Sequence, residues 1–152
     1  MNISIICPLY KGKKYIEPLN KSLMAQKDVD IKEIVYILTE TENDDSKEVL
    51  DRLNAKYKII SPKEFSHSLT REKAAFDAEG DIIVFITQDV IIKSDEGLRN
   101  LTKDITEGNC EAAFSRQICD NKTIERYTRQ KNYPSESRIV SKDDLKTLGI
   151  MT

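Results

Sequence analysis

Asp89 is the carboxylate of this chain best placed to do chemistry. It closes the run Gly80-Asp81-Ile82-Ile83-Val84-Phe85-Ile86-Thr87-Gln88-Asp89. A continuous apolar stretch, mostly β-branched, reads as a strand buried on both faces, the pattern of a parallel sheet. In open α/β sheets ligands sit outside the carboxyl ends of the strands. Two other strand ends carry groups that could meet a ligand there: Pro8-Leu9-Tyr10 after the first strand and Thr39-Glu40-Thr41-Glu42 after the second. An apolar and aromatic wall beside acids suits a base and ribose, with a diphosphate at Thr87-Gln88-Asp89. Phosphates need donors and positive charge, which His67 and Arg71 on the preceding helix can supply. A divalent cation, Mg²⁺ or Mn²⁺, could bridge Asp89 and the phosphate oxygens. Each residue also has a plainer reading. Asp89 could cap the following turn, Arg71 could pair along its helix with Asp77, and Cys7 reads as a small buried apolar residue.

The elements that must position these residues follow from periodicity. Ile3 to Cys7 is a first strand, Glu33 to Leu38 a second, Lys58 to Ile60 a third, and the run to Ile86 a fourth. Between them lie helices over Lys13–Gln26, Ser46–Ala55 and, capped by Ser68, up to Glu79, where Gly80 supplies the stop. Pro18 fits the first of these helices only if it lies in the first turn. Ser94 opens a further helix that Gly108 ends, Glu111 to Ser115 is a fifth strand, and Thr123 to Lys131 is helical. Ser141-Lys142-Asp143-Asp144 matches a capping box that opens a last helix through Leu148. Regular alternation of strand and helix predicts βαβ units: an α/β fold with a mostly parallel, doubly wound sheet and helices on both faces.

Bulk properties narrow the function. A chain of 152 residues with 39% hydrophobic and 33% charged residues is long and apolar enough for a globular core. A net charge of −2 gives no pull toward nucleic acid. Cys7, Cys110 and Cys119, an odd set without a CxxC, fit a reducing cytoplasm rather than a disulfide framework or zinc site. No signal peptide and no membrane span are expected. Neither G-x-G-x-x-G nor G-x-x-x-x-G-K-[ST] occurs, which disfavours dinucleotide and P-loop phosphate binding.

Ile5-Ile6-Cys7-Pro8-Leu9-Tyr10 resembles the opening strand of family-2 glycosyltransferases of the GT-A fold. Phe65-Ser66-His67-Ser68-Leu69-Thr70-Arg71-Glu72-Lys73-Ala74-Ala75 followed by the Gly80–Asp89 run, with Phe114-Ser115-Arg116-Gln117 and Asn132-Tyr133-Pro134-Ser135-Glu136-Ser137-Arg138, is similar more narrowly to the rhamnosyltransferase-type branch. The resemblance covers nearly the whole chain. It implies that Pro8, Leu9 and Tyr10 border the nucleotide base, that Glu40 meets it, and that Arg71, with His67 close by, sits near the diphosphate. Thr87-Gln88-Asp89 would replace the D-x-D motif, with Asp89 the metal ligand and Thr87 in the place of the first acid. Arg116 and Gln117 would lie on the sugar or acceptor side.

The implied reaction is inverting, metal-assisted transfer of a sugar, rhamnose by preference, from a dTDP- or UDP-linked donor. The acceptor would be a glycan or lipid-linked, in cytoplasmic surface-polysaccharide assembly associated with the membrane through the acceptor pathway. The family's catalytic base is expected beyond Thr152. Residues 1–152 would then be a single nucleotide-sugar-binding domain, truncated at its C-terminal side, that binds donor weakly and forms a homo-oligomer. The rival readings are a nucleotidyltransferase, whose Gly- and Arg-rich first loop Lys11-Gly12-Lys13-Lys14 imitates poorly, and a non-catalytic nucleotide-binding or assembly domain.

Overall fold

Apolar residues at nearly every position from Ile3 to Leu9 leave little choice but a strand covered on both sides. In the computed structural model, which describes residues 1–119, 123–132, 135–141 and 144, β1 runs Asn2–Leu9 and Ile5, Ile6 and Cys7 are fully buried. Around it stand β2 (Asp30–Thr39), β3 (Lys56–Ile60) and β4 (Ile82–Phe85), all parallel, in the order β3-β2-β1-β4. The helices between them are α1 (Lys13–Met24), α2 (Ser46–Arg52) and α3 (Leu69–Phe76). Two further helices follow, α4 (Gly97–Thr106) and α5 (Ile124–Asn132). The chain divides into two compact units, Met1–Asn100 and Leu101–Thr152.

In the first unit the pleat assigns each helix to a face. Successive strand residues point to opposite sides. Val35 and Ile37 of β2 join Ile6 in a cluster with Ala74 of α3, so α3 covers that face. Tyr36, between them, points the other way and donates from its hydroxyl to Asn20 Oδ1 of α1 at 3.2 Å. Ile16, Leu19 and Leu23 of α1 and Val49 and Leu50 of α2 are buried, and α1 packs against α2. Helices thus cover both faces of a parallel sheet, as alternation predicts.

At the amino-terminal ends of the strands a polar knot sets the register. Glu33 of β2 accepts from Ser4 Oγ (2.7 Å), Lys56 Nζ (2.6 Å) and the Glu79 N–H (2.8 Å), while the Gly80 N–H donates to Ser4 Oγ (2.8 Å). Burial raises the Glu33 pKa, but these bonds outweigh it and hold the carboxyl down to about 2. Gly80 is there because nothing larger fits. A Cβ on it would stand 2.5 Å from the Ser4 nitrogen.

Several sequence expectations change. β4 is not buried on both faces: Ile82 and Val84 are buried, but Phe85 is 49% exposed, because β4 is the outermost strand described. No strand forms over Glu111–Ser115; the segment is irregular and exposed. Ser68 precedes α3 but makes no capping bond from its side chain; Ser66 and Thr70 tie that turn instead, the Ser66 N–H donating to Thr70 Oγ1 at 3.0 Å. α3 stops at Phe76, short of Glu79, and Pro18 lies inside α1 rather than in its first turn, on an exposed position. Ser94 stands before α4, whose first residue is Gly97, and Gly108 closes the turn after it with φ of 75°. Ser141 and Asp144 exchange the expected capping-box bonds, the Ser141 N–H donating to Asp144 Oδ2 at 2.7 Å and the Asp144 N–H to Ser141 Oγ at 3.4 Å. The helix through Leu148 lies outside the described residues, as do Tyr133 and Pro134.

Candidate functional site

The strand order reverses direction between β1 and β4, and such a switch point opens a crevice at the carboxyl ends of the two strands. Pro8-Leu9-Tyr10 ends β1 and Thr87-Gln88-Asp89 follows β4, so the two predicted segments flank it. Gln88 joins them. Its Nε2 donates to the Tyr10 carbonyl at 3.1 Å and its Oε1 accepts from the Tyr10 N–H at 2.9 Å. One side-chain amide therefore satisfies both backbone groups of the loop residue. Gly12 lets the loop close on it, since a Cβ there would lie 3.0 Å from Gln88 Oε1 and 3.3 Å from Leu9 Cδ2. Leu9 is buried, whereas the Tyr10 ring is 52% exposed above the loop with the Lys11 ammonium 5.6 Å from its centroid.

Asp89 stands next to this clamp, exposed, and its carboxylate neither accepts a hydrogen bond from nor pairs with any described residue. The Cys7 thiol, buried near the end of β1, is pushed up to about 12 chiefly by burial, against the Arg71 guanidinium and with help from the Asp89 carboxylate. Arg71 and Asp89 thus act on that thiol in opposite directions, and both count for less than burial. Arg71 Nη1 donates to the His67 carbonyl at 2.7 Å, and the exposed His67 ring lies edge-on to Phe65 with centroids 5.0 Å apart. That bond fixes Arg71 while leaving most of its donors unused.

The end of β2 differs from a simple acidic loop. Glu40 is exposed, and its N–H is spent on the Ile60 carbonyl of β3 at 3.0 Å. On either side of it, the Thr39 and Thr41 hydroxyls are buried with no hydrogen-bond partner among the described residues. A buried hydroxyl left unpaired costs roughly 1–3 kcal/mol, so water or a ligand can bond to both. Further along, Asp44 and Ser46 hold the first loop from below. Asp44 Oδ2 accepts from the Lys11 N–H (3.2 Å) and Ser46 Oγ from the Gly12 N–H (2.9 Å). Neither threonine pair nor clamp was marked by the sequence, where the segment reads as solvated acids.

No group of three or more His, Cys, Asp or Glu able to hold a metal occurs among the described residues. Asp89 alone fits a cation only of the kind that keeps most of its shell for water and substrate phosphates, which is the habit of Mg²⁺. Arg116 and Gln117 belong to the second unit, on an exposed irregular segment. No described helix is long and apolar enough to cross a membrane.

Comparisons with known proteins agree with this architecture. The profile of Glycosyl transferase family 2 matches residues 4–151. The O-antigen chain rhamnosyltransferase WbaN of Salmonella anatum is 34% identical over 121 residues, 78% of this chain and 38% of that protein. The O-antigen chain rhamnosyltransferase RfbN of Salmonella typhimurium is 28% identical over 155 residues, all of this chain and 49% of that one. This chain therefore spans half or less of the length of these relatives. Among solved structures, S. aureus TarS 1-349 in complex with UDP-GlcNAc superposes with a TM-score of 0.55 at 25% identity, over 70% of this chain and 32% of that one. What is shared is the parallel, Rossmann-like sheet of the GT-A fold. The chain belongs to glycosyl transferase family 2.

Proposed function

We propose that this chain is the donor-binding part of a glycosyltransferase that moves a sugar, rhamnose by preference, from a dTDP- or UDP-linked donor to a glycan or lipid-linked acceptor with inversion. The observation that carries this reading is the Gln88 clamp on Tyr10, which fixes the ends of β1 and β4 as one rim beside Asp89. The rhamnosyltransferase relatives support the sugar, and the UDP-GlcNAc complex of TarS supports a nucleotide sugar as donor.

In this reading Pro8 and Leu9 back the nucleotide base and the exposed Tyr10 ring stacks near it. The Thr39 and Thr41 hydroxyls find their missing partner in the base or ribose, flanking Glu40. Arg71, steadied through His67, offers its remaining N–H groups to the diphosphate. A divalent cation, Mg²⁺ or Mn²⁺, held between Asp89 and the donor would neutralise charge on the departing nucleoside diphosphate. Stabilising that leaving group is what these residues contribute. The base that takes the acceptor proton is not among them, and Arg116 and Gln117 are assigned to the acceptor side. The natural place for such an activity is cytoplasmic polysaccharide assembly.

Calorimetry of the chain with dTDP and with UDP, each with and without Mn²⁺, tests the donor site. Metal-dependent binding that drops at least tenfold in Asp89→Ala is expected. Equal affinity of the variant and the parent would sink the assignment.

A further inference from the structure

We propose that Asp44 is a positioning residue for donor binding: its carboxylate is the resident anion of the loop between β1 and α1, and it fixes the Tyr10 rim before any nucleotide arrives. The link to a donor rests on the glycosyl-transfer reading; the lock on the loop does not.

The loop turns on an uncommon backbone conformation. Lys11 has φ of 48°, and Gly12 has φ of −92° with ψ of 0°. A left-handed residue followed by a right-handed one turns successive backbone N–H groups to one side, the concave nest that binds anions. Glycine, asparagine and aspartate take a positive φ far more readily than lysine does, so the conformation at Lys11 has to be held from outside. Asp44, half-buried, does this with both oxygens. Its Oδ2 accepts from the Lys11 N–H at 3.2 Å, and its Oδ1 accepts from the Ser46 hydroxyl at 2.5 Å and the Ser46 N–H at 3.0 Å. The Ser46 oxygen, fully buried, accepts in turn from the Gly12 N–H at 2.9 Å. A hydroxyl that donates to a carboxylate is polarised into a better acceptor. The charge of Asp44 therefore reaches two amides, one directly and one through Ser46. With Gln88 Oε1 on the Tyr10 N–H at 2.9 Å, three consecutive N–H groups of one loop are all taken by side chains.

In dinucleotide and P-loop folds the N–H groups after the first strand cradle phosphate. Here the same groups are spent on the protein's own carboxylate, and a phosphate brought to them would meet a like charge. The diphosphate is thereby directed away from the first loop, toward Arg71 and Asp89. The loop's part is to carry Tyr10, and Asp44 acts on the donor only through that loop.

Amide hydrogen exchange of the donor-free chain, followed by NMR, reads the lock directly. In Asp44→Ala the Lys11 and Gly12 amides are expected to exchange about tenfold faster than in the parent, as loss of a charged acceptor implies. Slow exchange of Ile5 and Ile6 in β1 shows that the sheet is intact. Sodium acetate should slow the two amides again by refilling the vacated place, and sodium chloride at the same ionic strength should not. Asp44→Asn, the milder change, carries the test if the alanine variant does not fold. It keeps the volume and leaves no room for acetate, so at least one of the two amides should exchange faster, with no rescue. Glycine at position 11 needs no lock for a positive φ. Asp44→Ala should therefore weaken dTDP binding about tenfold in the parent background and distinctly less in Lys11→Gly. Parent-like exchange of both amides in the Asp44 variants, exchange in Asp44→Ala that acetate does not slow, or equal losses of dTDP affinity in the two backgrounds overturns the proposal. A chain that binds no dTDP sinks the donor reading alone, since exchange and its rescue are measured without nucleotide.

Discussion

At the scale of single residues, the site is a matter of which polar groups are already spoken for. Gln88 gives its whole amide to Tyr10, so its role is to hold the loop rather than to touch a ligand. Truncating it removes two hydrogen bonds worth about 0.5–1.5 kcal/mol each. Gln88→Ala is therefore expected to weaken dTDP binding about tenfold in calorimetry without abolishing its metal dependence, whereas Asp89→Ala abolishes that dependence. Unchanged affinity in Gln88→Ala would show that the clamp does not shape the base wall. Cys7 is the opposite case, a reactive group made inert. With its pKa raised to about 12, it carries almost no thiolate at pH 8. Iodoacetamide at that pH should label Cys110 and Cys119 in the native chain and reach Cys7 only after denaturation; native labelling of Cys7 would mean that the end of β1 opens. The sequence made Asp89, Arg71 and Tyr10 legible because each sits at a strand end or on the helix beside one. It concealed Thr39 and Thr41, since a threonine in an acidic stretch looks solvated until the strand that buries it is known.

At the scale of elements, the amino-terminal ends of the strands hold the register while the carboxyl ends carry the candidate site. Glu33 is the centre of that lower knot, with its side chain only 6% exposed. A carboxyl whose folded pKa is about 2 against an ordinary 4.5 favours the folded state above pH 4.5, and that contribution is lost as pH falls toward 2. At ~1.4 kcal/mol per pKa unit the full value is on the order of 3 kcal/mol. Glu33→Gln should lower the denaturation midpoint at pH 7 and flatten the acid limb between pH 4.5 and 2. A variant that keeps the parent's acid limb would place the titrating group elsewhere. Gly80→Ala should cost as much or more, since its Cβ would meet backbone of β1 at 2.5 Å and one of the two strands must shift. Thermal unfolding would register this as a fall of several degrees. The periodicities of β1, β2, α1 and α2 were plain in the sequence. The fifth strand was not a strand because β-propensity describes a side chain that fits a half-buried pleated face, and Glu111–Ser115 is exposed throughout.

At the scale of the whole sheet, the two edges are unlike. β3 is an outer strand, but Lys56 and Lys58 stud it, paired with Glu33 and Asp77, and charged side chains of this kind blunt an edge against further pairing. β4 carries no charge from Ile82 to Phe85. The Ile86 N–H donates to the Ile6 carbonyl at 3.0 Å, so by alternation Val84 also turns its backbone to β1. Ile83 and Phe85 then turn theirs outward, where no described strand receives them. An apolar edge with a half-exposed phenylalanine is a template for another strand, and the one strand every solution of this chain contains is a second β4. Copies of the chain are therefore expected to associate through this edge, forming dimers at tens of micromolar in sedimentation velocity. Phe85→Lys, which gives β4 the charge that β3 already has, should return the chain to monomer while leaving dTDP affinity within twofold, because the side chain is not part of the Tyr10–Asp89 rim. A parent chain that stays monomeric up to millimolar concentration, or a Phe85→Lys dimer as tight as the parent, would show that the edge is protected by something other than a partner strand.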